Sequence, residues 1–434
     1  MYMHRSLKSY TKLALEPFNR AHALFVSSSG LVMLFPMISA PIIARLYSPE
    51  DFGIYAVFFS LATILSSVSS LELRNIALLE EARSDGIHGT VLALTAVVIF
   101  SLLISLLIFM LPDSILIFLV GSNVHAYLIW LPLTIFLMGG SQVIYTWATR
   151  EKEYKILARN KLILGISTML LQIGIGFMGY GAIGFIIANI LGLLLASLLL
   201  LVIFLKAFCA TSIQYSAYSA FAQFKRYYRL TLWTMPATLV NSLSQFLPEL
   251  LINRFFGAAQ LGQYSFAVRM LNMPIAFLSS SIQDFFRQQA AFEFNKNGHC
   301  TFSFLRFLIL TLVGAIFLIV PVIFLVPYVF PIIFGEQWTD AGSFIQAVAF
   351  LTIIRFVSSP LSYIWIIQGQ QSLDFLWQLG LLSLTLGTLI LPPMIEPQIT
   401  LYETLWIYSV LVGIWYLIAI TISYHLSKNP NKIK

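Results

Sequence analysis

Twelve times along this chain the side chains stay predominantly apolar for about 20 residues, the length a helix needs to cross a bilayer's hydrocarbon. The runs fall at 23–44, 53–72, 88–111, 125–147, 160–180, 182–206, 230–254, 262–284, 302–326, 341–366, 374–394 and 400–424. With no water to satisfy backbone N–H and C=O groups in lipid, such runs become helices whose hydrogen bonds are all internal. An all-α integral membrane protein with twelve transmembrane helices is therefore expected. Composition agrees with that solvent: 59% of residues are apolar and only 10% charged, far from the balance of soluble domains.

The runs come as two sets of six. R-L-Y-S-P-E-D-F-G-I-Y-A at residues 45–56 is echoed 209 residues later by R-F-F-G-A-A-Q-L-G-Q-Y-S at 254–265, pairing Arg45 with Arg254, Gly53 with Gly262 and Tyr55 with Tyr264. Gly121 before the fourth run matches Gly335 before the tenth. A fixed-period echo sets architecture, and here the unit is half the chain. Residues 1–206 form the expected first six-helix bundle, 207–229 a cytoplasmic linker, and 230–434 the second bundle. Two equal halves of the same orientation imply a pseudo-two-fold axis along the membrane normal, one of the standard transporter symmetries. Within the repeat, Arg45 and Arg254 are expected as snorkelling anchors and Tyr55 and Tyr264 as interfacial belt residues. Gly53 and Gly262 are expected to permit a tight turn or a close helix contact.

Orientation follows from basic residues in short loops. With the N-terminus in the cytoplasm, 21 of the 25 Lys and Arg residues lie inside, Arg45 and Arg254 lie outside, and Arg269 and Arg355 lie within the membrane. Both termini are then cytoplasmic. Nothing resembles a cleaved signal peptide, and Cys209 and Cys300 fall in cytoplasmic segments where no disulfide is expected.

Arg269 and Arg355 are the most informative residues. An arginine at a helix centre costs about 2.5–3.5 kcal/mol on insertion scales, so it faces a cavity or a partner. On the eighth run Arg269, Asn272, Ser279 and Gln283 share a helical face; on the tenth, Thr352, Arg355, Ser359 and Ser362 do. The seventh run adds Thr234, Thr238, Asn241, Gln245 and Glu249. Three polar stripes in one half predict a water-filled lumen in which Arg355, Arg269, Asn272, Asn241 and Gln245 bind substrate. A guanidinium suits phosphate, which it binds through two parallel hydrogen bonds. Glu249 and Arg269 stand at similar depths, so Arg269 is read either as a substrate contact or as Glu249's ion-pair partner, the two coexisting if the bridge opens. Glu249, Glu72 and Asp284 are also candidates for ion coupling, although Glu72 and Asp284 equally suit snorkelling beside Arg74 and Arg287.

Other matches lead nowhere. Gly174, Gly176 and Gly179 satisfy G-x-G-x-x-G, yet no strand precedes them; close packing and a tight turn explain them. Glu50 and Asp51, after Ser48 and Pro49, read as a helix start. The six histidines have no metal-ligand spacing, and a net charge of +7 without a basic stripe does not point to nucleic acid. No cofactor and no metal is expected.

The repeated stretch, with L-E-L-R-N-I-A-L-L at 71–79 and F-G-E-Q-W at 334–338, resembles the O-antigen and polysaccharide-unit flippases of the Wzx type, relatives of the multidrug and toxin extruders. The resemblance covers nearly the whole chain. It implies a bacterial inner-membrane carrier that is not an enzyme and that moves undecaprenyl-diphosphate-linked oligosaccharide to the outer leaflet by alternating access. It implies a lipid-linked oligosaccharide and membrane lipids as partners, with polysaccharide polymerase machinery as a further candidate. The lumen charges lie in the second half, with Ser60 and Ser141 at the matching first-half positions. Two rivals are a drug extruder of the same fold, expected to carry unpaired lumen acids, and a membrane polysaccharide polymerase, expected to carry a larger outer loop.

Overall fold

The computed structural model describes residues 35–210 and 217–428. They are mostly helical, with no strand among the described residues. The long helices are α1 (Phe35–Leu46), α2 (Pro49–Ser69), α3 (Arg83–Met110), α4 (Leu131–Arg150), α5 (Tyr154–Phe177) and α6 (Gly181–Ala210). They continue with α7 (Ala217–Phe256), α8 (Ala258–Asn297), α9 (Thr301–Gly314) and α10 (Val320–Phe334). α11 (Thr339–Ala347), α12 (Ala349–Leu361), α13 (Gln371–Ile395) and α14 (Leu401–Lys428) complete the set. Among the described residues, eight helices are long and apolar enough to cross a membrane. α7 and α8, 40 residues each, carry the polar stripes that dilute their hydropathy. The part of the first apolar run before residue 35 lies outside the described residues, and so do the basic residues of the N-terminal segment.

Local rules account for the boundaries. Ser48 caps α2 in a capping box with Asp51, Pro49 stands in its first turn, and Glu50 and Asp51 complement the helix dipole. The segment expected as a polar linker is mostly helix, since α6 runs on to Ala210 and α7 already starts at Ala217. The ninth apolar run is not one straight helix. A π-turn at Ala315–Ile319 joins α9 to α10, and α10 holds Pro327 and Pro331 internally, each removing a helix hydrogen bond.

Helices α2 to α6 pack on one another, as do α7 to α14, and the two sets meet along α2 against α7 and α8. At that seam the repeated glycines touch. A Cβ on Gly53 would lie 1.8 Å from the Ala258 carbonyl oxygen, and one on Gly262 1.7 Å from that of Pro49. Only glycine permits two helix backbones so close. The arginines expected as lipid anchors are exposed and also reach across the same seam: Arg45 donates to the Ile333 carbonyl at 3.5 Å, and Arg254 lies 4.6 Å from the Phe118 ring. Around them Trp338 Nε1 donates to the Ala44 carbonyl at 2.8 Å, and Asn253 to that of Val120 at 3.0 Å. An aromatic cluster fills the crossing, with Phe52 edge-on to Phe185, Phe266 and Trp338 at 4.8, 5.3 and 5.0 Å. Tyr55 and Tyr264 are buried rather than interfacial; Tyr55 accepts a 2.8 Å hydrogen bond from Asn189 and stacks on Phe185.

The far end of α2 is tied to α7 by a second set of contacts. Glu72, 2% exposed, holds Arg74 at 2.9 Å and accepts from Asn75 at 2.7 Å and from Thr238 on α7 at 3.0 Å. Thr231 donates to the Leu71 carbonyl, and Arg226 pairs with Glu80 at 3.1 Å.

Candidate functional site

The site is built on α12, whose approach is broken at Val348 and which carries Pro360 near its end. Thr352, Arg355 and Ser359 project along one face of it and meet Asn272, Ser279 and Gln283 of α8 across a cavity of about 350 Å³. Two further compartments adjoin. One, of about 170 Å³, is walled by Asn241, Ser244 and Gln245 of α7, by Ser362, and by Asp374, Gln378 and Trp377 of α13. The other, of about 230 Å³, reaches Gln245 and Glu249 of α7, Tyr264 and Asn272 of α8, and Tyr408 and Tyr416 of α14. Arg355 lines all three. Pro248 lies inside α7, so the Ser244 carbonyl one turn back has no helix partner and adds an acceptor to this wall.

Arg355 lies deep in the protein yet is exposed through the cavity. Among the described residues no carboxylate lies within salt-bridge distance of it; the hydroxyls of Tyr416, Tyr408 and Tyr264 are its polar surroundings. An uncompensated guanidinium inside a helix bundle is stable only where water or an anion reaches it. The walls offer hydroxyls, amides and indoles, with the carboxyls of Asp374 and Glu249 among them, a set suited to a polyhydroxylated ligand whose anionic part meets Arg355.

The structure sorts the residues predicted from sequence. Arg355, Asn272, Asn241, Gln245 and Glu249 come together around the joined cavities. Arg269 does not: it points into a separate cavity of about 200 Å³ among α1, α2, α5 and α6. Among the described residues Glu249 and Arg269 lie within electrostatic reach but outside ion-pair distance, and Ser60 of α2 donates to the Glu249 carboxylate. Glu72 is enclosed in the Arg74–Asn75–Thr238 network, and Asp284 is exposed on α8, apart from these cavities.

Sequence reasoning missed Asp374, Gln378, Trp377, Tyr264, Tyr408 and Tyr416. Asp374 stands at the first position of the apolar run 374–394, where an acid reads as a helix boundary. Tyr408 and Tyr416 stand eight residues apart on one face of α14, a signal that was available. Among the described residues no group of three His, Cys, Asp or Glu side chains could hold a metal ion.

Residues 42–343 match the model of a family described as polysaccharide biosynthesis protein. Over 211 residues, 47% of this chain, the sequence is 24% identical to the teichuronic acid biosynthesis protein TuaB of Bacillus subtilis (strain 168), a match that spans 42% of that protein's length. The fold is similar to the lipid II flippase MurJ in an inward closed conformation, with a TM-score of 0.72 and 14% identity, covering 94% of this chain and 90% of that one. It is also similar to an inward-facing multidrug resistance MATE family transporter of the MOP superfamily, with a TM-score of 0.62, 14% identity, and coverage of 94% and 96%.

Proposed function

The chain belongs to the polysaccharide biosynthesis protein family, and on that premise we propose that it is a flippase carrying oligosaccharide units linked through diphosphate to a polyprenyl lipid. Its direction is from the cytoplasmic to the outer leaflet of a bacterial inner membrane, with both termini in the cytoplasm. The observation that carries the reading is Arg355, a guanidinium with no carboxylate at salt-bridge distance among the described residues, where three compartments adjoin. It binds the diphosphate, while Asn272, Asn241, Gln245 and the aromatic walls take the sugars. Twelve crossings in two six-helix bundles about a pseudo-two-fold axis supply alternating access. The seam of α2 with α7 and α8 supports this, because it is tied at the repeat end by Gly53, Gly262 and Trp338 and at the opposite end by Glu72 and Thr238. Opening one set while keeping the other exposes the cavity to one side at a time.

Reconstituted into liposomes with a fluorescent lipid-linked oligosaccharide, the protein should transfer probe between leaflets. Arg355→Ala should abolish transfer and Arg355→Lys keep part of it, since an ammonium retains charge but loses the fork geometry. Full transfer by the alanine variant removes the reading.

A second reading has its own observation. Glu249, Asp374 and Trp377 line the cavities near Arg355, and a drug extruder would use such groups on an organic cation. Efflux of rhodamine-type cations, unaffected by lipid-linked sugar, would favour it.

A further inference from the structure

The cavity that holds Arg269 is the apolar counterpart of the one that holds Glu249. At the 209-residue offset of the repeat, Pro36, Ala40 and Phe59 in its wall match Gln245, Glu249 and Val268 in the other. Where the second half places an amide and a carboxylate, the first half places a ring and a methyl. Phe52, Phe185, Met169, Leu193 and Phe266 complete the apolar lining.

Five polar side chains interrupt that lining, and two of them, Ser39 and Asn189, donate to the Pro36 carbonyl and the Tyr55 hydroxyl. Gln172 is 3% exposed and its Nε2 has no hydrogen-bond partner; Thr168 Oγ1 lacks one too but packs against Gly192 of α6. Arg269 enters from α8 with no carboxylate at salt-bridge distance among the described residues, Glu249 lying within its electrostatic reach. An amide donor left unmet in an apolar wall is costly, so the Gln172 amide beside a guanidinium marks a place for an acceptor-rich anion. The walls require that this anion carry an apolar body.

We infer that the first-half cavity is a second binding site, which takes a phosphate-bearing apolar chain at the point where chain and phosphate join. The inference rests on the carrier reading and extends it. The matched cavities divide one amphipathic molecule, the second half holding its sugars and, on Arg355, the sugar-side phosphate, and the first half holding the chain and the phosphate joined to it. A polyprenyl phosphate and an anionic phospholipid share this chemistry, so both belong in the test.

The full-length protein in nanodiscs is irradiated with a polyprenyl phosphate carrying a diazirine near its head, or with phosphatidylglycerol carrying one in its acyl chain. Labelled peptides are mapped by mass spectrometry. The expected result is label on α5 and α6, lost in Met169→Trp and Leu193→Trp, reduced by Arg269→Gln, and retained in Arg355→Ala. Unlabelled polyprenyl phosphate should compete where neutral polyprenol does not, a test in the unmodified protein that needs no variant to fold. Label from phosphatidylglycerol alone keeps the site and names a membrane lipid as its occupant. Label from neither probe, or label that survives both filling variants, overturns the inference. Translocation measured on the same preparation separates the two ideas. A labelled cavity in a protein that moves no lipid-linked sugar sinks the carrier reading alone, and normal translocation with an unlabelled cavity sinks the second site alone.

Discussion

Replacing Gly53 with alanine tests the seam most directly. The new methyl carbon would lie 1.8 Å from the Ala258 carbonyl oxygen, where contacts under 3.0 Å essentially never occur. The helices must therefore part by ~1 Å or more, and because the obstacle is backbone, no rotamer change relieves it. Overpacking typically costs about 1–3 kcal/mol, and this rigid case belongs at the upper end. Alanine's better helix propensity returns ~1 kcal/mol, leaving the closed seam destabilised by ~1–2 kcal/mol. That shifts the ratio of closed to open by a factor of about 5–30. Spin labels at Ser122 and Ala259, in a Cys209→Ser, Cys300→Ala background, read the shift as a rise in the longer of two distances. Gly262→Ala should act alike, its methyl lying 1.7 Å from the Pro49 carbonyl oxygen. The double variant should fall short of the sum, since the first separation relieves the second clash. An unchanged distance distribution together with a raised Tm, as propensity alone would produce, refutes the crossing.

At the opposite end of α2, Arg74→Ala should destabilise the protein by about 3–5 kcal/mol, the usual result of stripping a partner from a buried carboxylate, and Glu72→Gln introduced beside it should recover much of the loss in thermal melts. Thr238→Val removes one hydrogen bond from the same carboxylate and should cost ~1 kcal/mol, read as a lower denaturation midpoint. The two thiols should differ in reactivity. Cys300 is buried, and desolvation with Glu293 nearby pushes its thiol up to about 11, so its thiolate is scarce below that pH. Maleimide at pH 8 should modify the exposed Cys209 and spare Cys300, and equal rates would contradict that burial.

Much of the site could be read from side-chain order. The i, i+3, i+7 spacing of Thr352, Arg355 and Ser359, with the amides of α7 and α8, specifies faces that belong together, because helical periodicity is a property of the chain alone. The pairing of Gly53 with Gly262 was equally visible, since the repeat sets them at matching positions. Arg269 marks where periodicity stops. It stands three residues from Asn272, about 60° around the helix, so one face description covers both. The neighbour on each side decides which cavity each enters, and α2 and α5 take Arg269 while α12 takes Asn272. Glu249 is a similar case: its depth matched Arg269, but Ser60 stood closer, and depth carries no lateral information. Tyr55 and Tyr264 looked like interfacial aromatics because the sequence does not show that a second helix covers them. Composition and period thus determined the solvent, the helices and the repeat, which are sums over local chemistry. Packing of one half against the other decided which polar groups share water, because distances between helices far apart in the chain are set only when the backbones meet.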